Sequence, residues 1–271
     1  MKRKIIVGLI ILLVFGDLFF LIKVAPDLKF KKVQTDQKIV EKIRPESLVV
    51  PILIYHHIDS DLPPKNSQSR TFYVTPAEFE QQLKYLKENN FQAVSTKNLA
   101  EAFAGDYLLP KNPVIITFDD GLPSQYLNAL PLLEKYGFTA TFYIFTNAIG
   151  ISKNYMTWPQ LKDLVAKGME IGSHTRYHQY LAKENDIEKL KIEIIGSKEK
   201  LEQELGIKVV AFSYPFGSKN STTTEMLKQA GYLSARDIVN GRTQTLKGLY
   251  SLKGYFVTSD FERFKWILGL K

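Results

Sequence analysis

The first pattern along the chain is a stretch with almost no polar positions. Lys2-Arg3-Lys4 precedes an apolar run from Ile5 to Ile22 whose one charge is Asp17. As a helix this run would rise about 27 Å, close to the hydrocarbon thickness of a bilayer. A basic start followed by an apolar run reads as a secretory signal or as a membrane anchor. Lys23-Val24-Ala25-Pro26 offers no small-x-small cleavage site, so a signal-anchor over residues 1–24 fits better than a cleaved signal. Asp17 would cost about 2.5–3.5 kcal/mol at the bilayer centre and less towards either end. The basic flank orients the N-terminus to the cytoplasm and the rest of the chain to the outside. Residues 25–46 are Lys-rich and lack periodicity, and read as a polar tether.

From residue 47 to residue 271 the pattern changes to short apolar runs alternating with amphipathic stretches. Residues 48–55, 91–95, 113–118, 139–145, 169–172, 209–213, 232–236 and 252–257 read as strands. Helices are predicted over residues 96–103, 124–136, 157–167, 185–205, 222–230 and 261–268. Another helix starts at Thr75-Pro76-Ala77-Glu78, a capping box with Pro at the first helical position. It carries Phe79, Leu83 and Leu86 on one face. The strands are apolar throughout rather than alternating, so both their faces are covered and the sheet is parallel. About seven strand–helix units favour a barrel over an open sheet. The expected class is α/β: a distorted (β/α)7-type TIM-like barrel of parallel strands. It forms a single domain after the N-terminal membrane segment.

Composition excludes more than it identifies. With 45% hydrophobic and 24% charged residues, a disordered or collagen-like chain is ruled out. The net charge is +8, but residues 1–50 carry +5 of it, leaving +3 for the other 221 residues. The body therefore lacks the concentrated basic surface that nucleic-acid binding needs, and no nucleic-acid partner is expected. There is no Cys, so a metal could be held only by His and carboxylates. The four His are His56, His57, His174 and His178.

All four fall at C-terminal ends of predicted strands, as do Asp119-Asp120 and Tyr214-Pro215-Phe216-Gly217. In a parallel barrel those ends meet at one mouth, where active sites form. Asp120, His174 and His178 would give a three-ligand site with a position open for water or substrate. The i, i+4 spacing of His174 and His178 puts both imidazoles on one face if that turn is helical. Asp119 and Asp120 are adjacent, so one can bind metal while the other faces the reacting water. A carboxylate beside a divalent cation stays ionised and can serve as a base. Alone, Asp-Asp-Gly is ordinary turn chemistry and a His pair is an ordinary polar loop; their shared position at strand ends argues for a site. The donor set suits Zn, and also Co, Ni or Fe.

Thr117-Phe118-Asp119-Asp120-Gly121 resembles the first motif of the polysaccharide deacetylases, the NodB-homology group of carbohydrate esterase family 4. Ser173-His174-Thr175-Arg176-Tyr177-His178 resembles their second motif, and Tyr214-Pro215-Phe216-Gly217 their third, usually Arg-Pro-Pro-Tyr-Gly. The resemblance covers residues 48–271. It implies a distorted barrel and a divalent-metal hydrolase that removes N-acetyl groups from N-acetylglucosamine units of a polysaccharide. It makes Asp119 the general base, Asp120, His174 and His178 the metal ligands, and the Phe216 N–H an oxyanion donor. Tyr214, Tyr177 and Trp158 flank the motifs and are candidates for sugar stacking, with core packing the expected role of Trp158.

The chain departs from the family pattern twice. Ser213 stands where the family usually has the Arg that orients the base; Arg236, at another strand end, is the candidate replacement. No His follows His178, so the late motif that supplies the general acid is absent. Ile54-Tyr55-His56-His57 resembles instead the N-terminal Tyr-His of the poly-β-1,6-N-acetylglucosamine deacetylases of intercellular-adhesin type. That assigns the acid to His56. The expected function is deacetylation of this biofilm polymer outside the cell, with the membrane and the exopolysaccharide synthesis or export machinery as partners. The alternatives are deacetylation of peptidoglycan or a chitin-like β-1,4 polymer, and an inactive carbohydrate-binding relic.

Overall fold

The structure, a computed structural model, describes residues 44–269. The apolar segment 1–24 and residues 25–43 of the tether lie outside the described residues. Among the described residues no helix is long and apolar enough to cross a membrane.

Seven parallel strands form the frame. In spatial order they are Ser234–Arg236, Ala211–Ser213, Glu170–Ser173, Thr141–Ile144, Pro113–Asp119, Ile52–Tyr55 and Tyr255–Phe256. Each neighbouring pair is parallel. A parallel bridge from Arg236 to Leu252 connects the first strand to the stretch leading into the last, so the sheet curls round as a distorted barrel. A short strand, Gln92–Ala93, pairs beside the start of Pro113–Asp119. Ile52–Tyr55 and Thr141–Ile144 are buried at every position, which is why their sequences are apolar without alternation.

Helices cover the outside. Pro76–Glu88 begins with the predicted capping box between Thr75 and Glu78 and buries Phe79, Leu83 and Leu86. Each such side chain contributes roughly 1.5–3 kcal/mol by leaving water. Thr96–Ala104, Trp158–Ala166, Ser221–Gln229 and Phe261–Leu268 follow the predicted helices to within a residue.

Two expectations need correction. The apolar run 48–55 is two strands: Ser47–Val49 pairs antiparallel with Thr243–Thr245, while Ile52–Tyr55 joins the barrel. Pro51 lies between them and has no N–H to give a ladder; its carbonyl accepts from the Ile115 N–H at 3.0 Å. The predicted helices 124–136 and 185–205 are each interrupted by a π-turn, Gln125–Ala129 and Ile192–Gly196, where the hydrogen bonding widens by one residue.

Inside the barrel, Gly172 is needed for space. A Cβ there would lie 2.5 Å from the Tyr143 ring. Tyr143 thereby fits within the barrel, with the Arg236 guanidinium over its ring at 5.3 Å.

Candidate active site

The strands run one way, so their C-terminal ends share a mouth. His56 follows Tyr55, Asp119 and Arg236 end their strands, His174 follows Ser173, and Tyr214 follows Ser213. His56, His57, Asp119, Asp120, His174, His178 and Phe216 line a cavity of about 460 Å³ there. Phe72 and Phe256 complete the wall beside His56.

Asp120, His174 and His178 offer donor atoms that all lie within 4.8 Å of one another. Asp120 Oδ1 is 3.4 Å from His178 Nε2 and 3.7 Å from His174 Nε2. This oxygen is buried and accepts no hydrogen bond. His174 Nδ1 meets the Ser213 carbonyl at 2.7 Å. That contact assigns the proton to Nδ1 and leaves the Nε2 lone pair facing Asp120, as a metal-ligating imidazole requires. A buried carboxylate oxygen without a partner, facing two imidazole nitrogens, fits a divalent cation.

The turn that joins the two imidazoles is not helical, so the condition on which the i, i+4 spacing would align them is not met, and another backbone path brings them together. Their ring centroids are 4.8 Å apart, but Thr175 and His178 have left-handed φ values of 71° and 59°. The N–H groups of the turn go to other acceptors. His174 N–H donates to the Ile144 carbonyl, Thr175 to Ser173 Oγ, Arg176 and Tyr177 both to Glu193 Oε2, and His178 to Thr175 Oγ1. Five described non-glycine residues have positive φ, and four of them, Asp120, Thr175, His178 and Phe216, belong to this mouth. Such conformations cost about 1–3 kcal/mol each and cluster where a site dictates the backbone.

Asp119 is 3% exposed. Its Oδ2 accepts a hydrogen bond from Arg236 Nη2, which also meets Ser213 Oγ at 2.5 Å. Its Oδ1 accepts none. His56 Nε2 lies 3.9 Å from Oδ2, and the His56 ring is packed against Phe72 and Phe256 at 4.8 and 5.7 Å between centroids.

Burial sets the direction of the shifts. It lowers His174 to about 3 and His56 to about 4, although the Asp119 charge pulls both upward. Both imidazoles are therefore neutral at pH 7, and the His56–Asp119 approach is not an ion pair there. Burial also lowers His178. For Asp119 burial acts upward, but the Arg236 guanidinium helps to reverse it and the carboxyl stays below its ordinary value. For Asp120, burial and then the Asp119 charge outweigh the downward pull of Arg236 and raise it to about 7.

The other predicted residues divide. Phe216 sits at the rim with a φ of 56°, and its ring stacks on Tyr180 at 4.0 Å. Tyr214 also lines the cavity but is buried, and its hydroxyl donates to the Tyr250 carbonyl at 3.2 Å. Burial pushes that phenol up to about 12. His57 stacks on Tyr73 at 4.0 Å. Trp158 is half-buried against the core, and Tyr177 is exposed. Sequence reasoning missed Phe72, Gln125 and Glu193. No pattern signal marked them, because their roles include contacts with residues as far as 16 and 69 positions away.

A parallel barrel with this mouth defines an α/β-barrel enzyme equipped for hydrolysis. The profile of the family described as Polysaccharide deacetylase matches residues 107–235. A Bacillus subtilis (strain 168) protein named as a polysaccharide deacetylase, YxkH, is 30% identical over 205 residues, covering 75% of this chain and 69% of that one. The chain belongs to the polysaccharide deacetylase family. The poly-β-1,6-N-acetyl-D-glucosamine N-deacetylase of Staphylococcus aureus (strain MRSA252) is 27% identical over 179 residues. The match covers 61% of each chain, so this chain spans less than two thirds of that relative. Among solved structures, the Streptococcus pyogenes deacetylase PplD in complex with acetate is similar at a TM-score of 0.73 and 28% identity, over 78% of this chain and 93% of that one.

Proposed function

We propose that this polysaccharide deacetylase is a metal-dependent N-deacetylase acting on poly-β-1,6-N-acetylglucosamine outside the cell, in the service of biofilm formation. The observation that carries the chemistry is the convergence of Asp120, His174 and His178 beside a buried Asp119 that His56 approaches. The β-1,6 linkage is supported by His56 immediately after the strand Ile52–Tyr55 and by the likeness to the Staphylococcus aureus enzyme.

Asp120, His174 and His178 would hold the cation, which when bound polarises the acetamide carbonyl and the attacking water; Zn, Co, Ni and Fe all suit these ligands. Asp119 takes a proton from the water through Oδ1, the oxygen left free by Arg236. Arg236 keeps that carboxyl ionised, replacing the Arg that the family usually has at position 213. The Phe216 N–H faces the carbonyl oxygen as charge develops on it. His56 delivers a proton to the departing sugar nitrogen. A neutral imidazole cannot give up its one N–H without becoming an imidazolate, so His56 first accepts the proton that Asp119 has taken and then passes it to the amine. With that proton on Oδ1 and Nε2 3.9 Å from Oδ2, the relay runs through a water. Water contributes hydroxyl to the acetyl carbon and one proton to the amine, and the balance closes. Phe72 and Phe256 keep bulk water from His56.

Residues 1–24 act as a signal-anchor that leaves the enzyme on the outer side of the membrane, beside the machinery that makes or exports the polymer. The test is acetate release by the full chain from β-1,6- and β-1,4-linked N-acetylglucosamine oligomers side by side. Preference for β-1,6 supports the proposal. Preference for β-1,4 moves the substrate to peptidoglycan or a chitin-like polymer, and no release by a metal-loaded chain favours a binding relic.

A further inference from the structure

Two polar side chains outside the sequence motifs are buried behind the site, and each stands on one of the two π-turns. Gln125 is 0% exposed, and its Nε2 donates to the carbonyls of both His56 and Asp119. Its neighbours hold the same segment. Ser124 Oγ accepts from the Ile58 N–H at 3.3 Å, and Asn128 Nδ2 donates to the Ile58 carbonyl at 2.7 Å. One turn therefore clamps residues 56–58 against the strand end that carries Asp119. Glu193 is 5% exposed, and its Oε2 accepts the Arg176 and Tyr177 N–H groups, each at 2.9 Å. Those N–H groups lie midway between His174 and His178, in a turn with two left-handed non-glycine residues. Left to itself such a turn would relax.

A π-turn inserts one residue into a helix and so changes the direction in which neighbouring side chains leave it; these turns recur at functional sites. We propose that the two π-turns are positioning devices with separate duties. Gln125, with Ser124 and Asn128, sets the approach of His56 to Asp119. Glu193 sets the approach of His174 to His178. The first duty rests on the deacetylase reading; the second concerns cation binding alone.

The duties separate in one experiment on the full chain. The unaltered protein, Gln125→Met, Asn128→Ala, Glu193→Leu and Glu193→Gln are compared for Zn²⁺ dissociation constant, for kcat and KM of acetate release from a β-1,6 oligomer, and for melting midpoint. Gln125→Met should lower kcat by about 10–100-fold, since misplacing a reacting pair by an ångström costs that much. Asn128→Ala should act in the same direction to a smaller extent. Both should leave KM and the Zn²⁺ constant near those of the unaltered chain. Glu193→Leu should weaken Zn²⁺ by about 10–100-fold, as loss of a ligand's support does, with kcat largely restored at saturating Zn²⁺. Glu193→Gln keeps an acceptor oxygen and should keep the Zn²⁺ constant. Unchanged kcat in both Gln125→Met and Asn128→Ala would overturn the first duty, and unchanged Zn²⁺ affinity in Glu193→Leu the second. Parallel loss of both properties in both sets would reduce the turns to general scaffolding. If the unaltered chain releases no acetate, the deacetylase reading fails, while the Glu193 duty is still scored by Zn²⁺ affinity.

Discussion

Replacing Arg236 by Met tests how the base is kept ready. Arg236 is fully buried and its Nη2 donates to Asp119 Oδ2. Met keeps the volume and removes the cation. Breaking one side of a buried ion pair costs about 3–5 kcal/mol, because the remaining charge is left uncompensated in a poor solvent. Asp119 can avoid part of that cost by taking up a proton, since burial already acts upward on it and Arg236 is the leading opposing charge. Its pKa should therefore rise, and each unit by which it exceeds the working pH leaves about tenfold less of the ionised base. The assay is kcat/KM for acetate release from pH 5 to pH 10. Arg236→Met should lose about 10²-fold or more at pH 7 and recover part of it as the pH rises. A companion variant returns the cation to the family's usual position. Ser213 is the register partner of Arg236 on the adjacent strand, so Ser213→Arg with Arg236→Ser moves the guanidinium by one strand spacing, about 4.8 Å. It should recover much of the neutral-pH rate. A folded, metal-binding Arg236→Met with the normal rate and normal acidic limb would refute the reasoning.

Other expectations follow from the same geometry. Asp120 is raised to about 7 in the metal-free site, so below that pH a cation must displace its proton and apparent affinity should fall about tenfold per pH unit. Because His174 and His178 are lowered, the fall just below pH 7 should follow one proton; a slope of two or three there by chelator competition would contradict this. Phe72→Ala opens His56 to water, and since burial is the main cause of its low pKa, the imidazole should titrate closer to its ordinary value near 6.5. An NMR titration that leaves His56 near 4 would show that Phe72 does not desolvate it.

The barrel was legible because a parallel strand advertises its burial as an unbroken apolar run, and because the polar residues that end those runs must share a mouth. Arg236 was reachable by the same logic, as a charge at a strand end. Pro51 could have warned that the run 48–55 is two strands, since a proline cannot donate to a central ladder. Whether the turn between His174 and His178 is helical was left open by the spacing, because Glu193, which takes two of its N–H groups, lies well outside it in sequence. Gln125 and Glu193 read as ordinary helical polar residues, since an α-helix and a π-turn differ by one residue of hydrogen-bond register. Such a difference is decided by tertiary contacts rather than by local pattern.

The central claim is that the cation site and the base are separate groups acting on one acetamide. The most direct measurement pairs bound-metal content with acetate release from a β-1,6-linked oligomer, for the full chain, Asp119→Asn and His174→Ala. The account predicts that the unaltered chain binds metal and releases acetate, that Asp119→Asn binds metal but releases at least about 10²-fold less, and that His174→Ala does neither. An active Asp119→Asn, or a His174→Ala chain that keeps its metal, would contradict it.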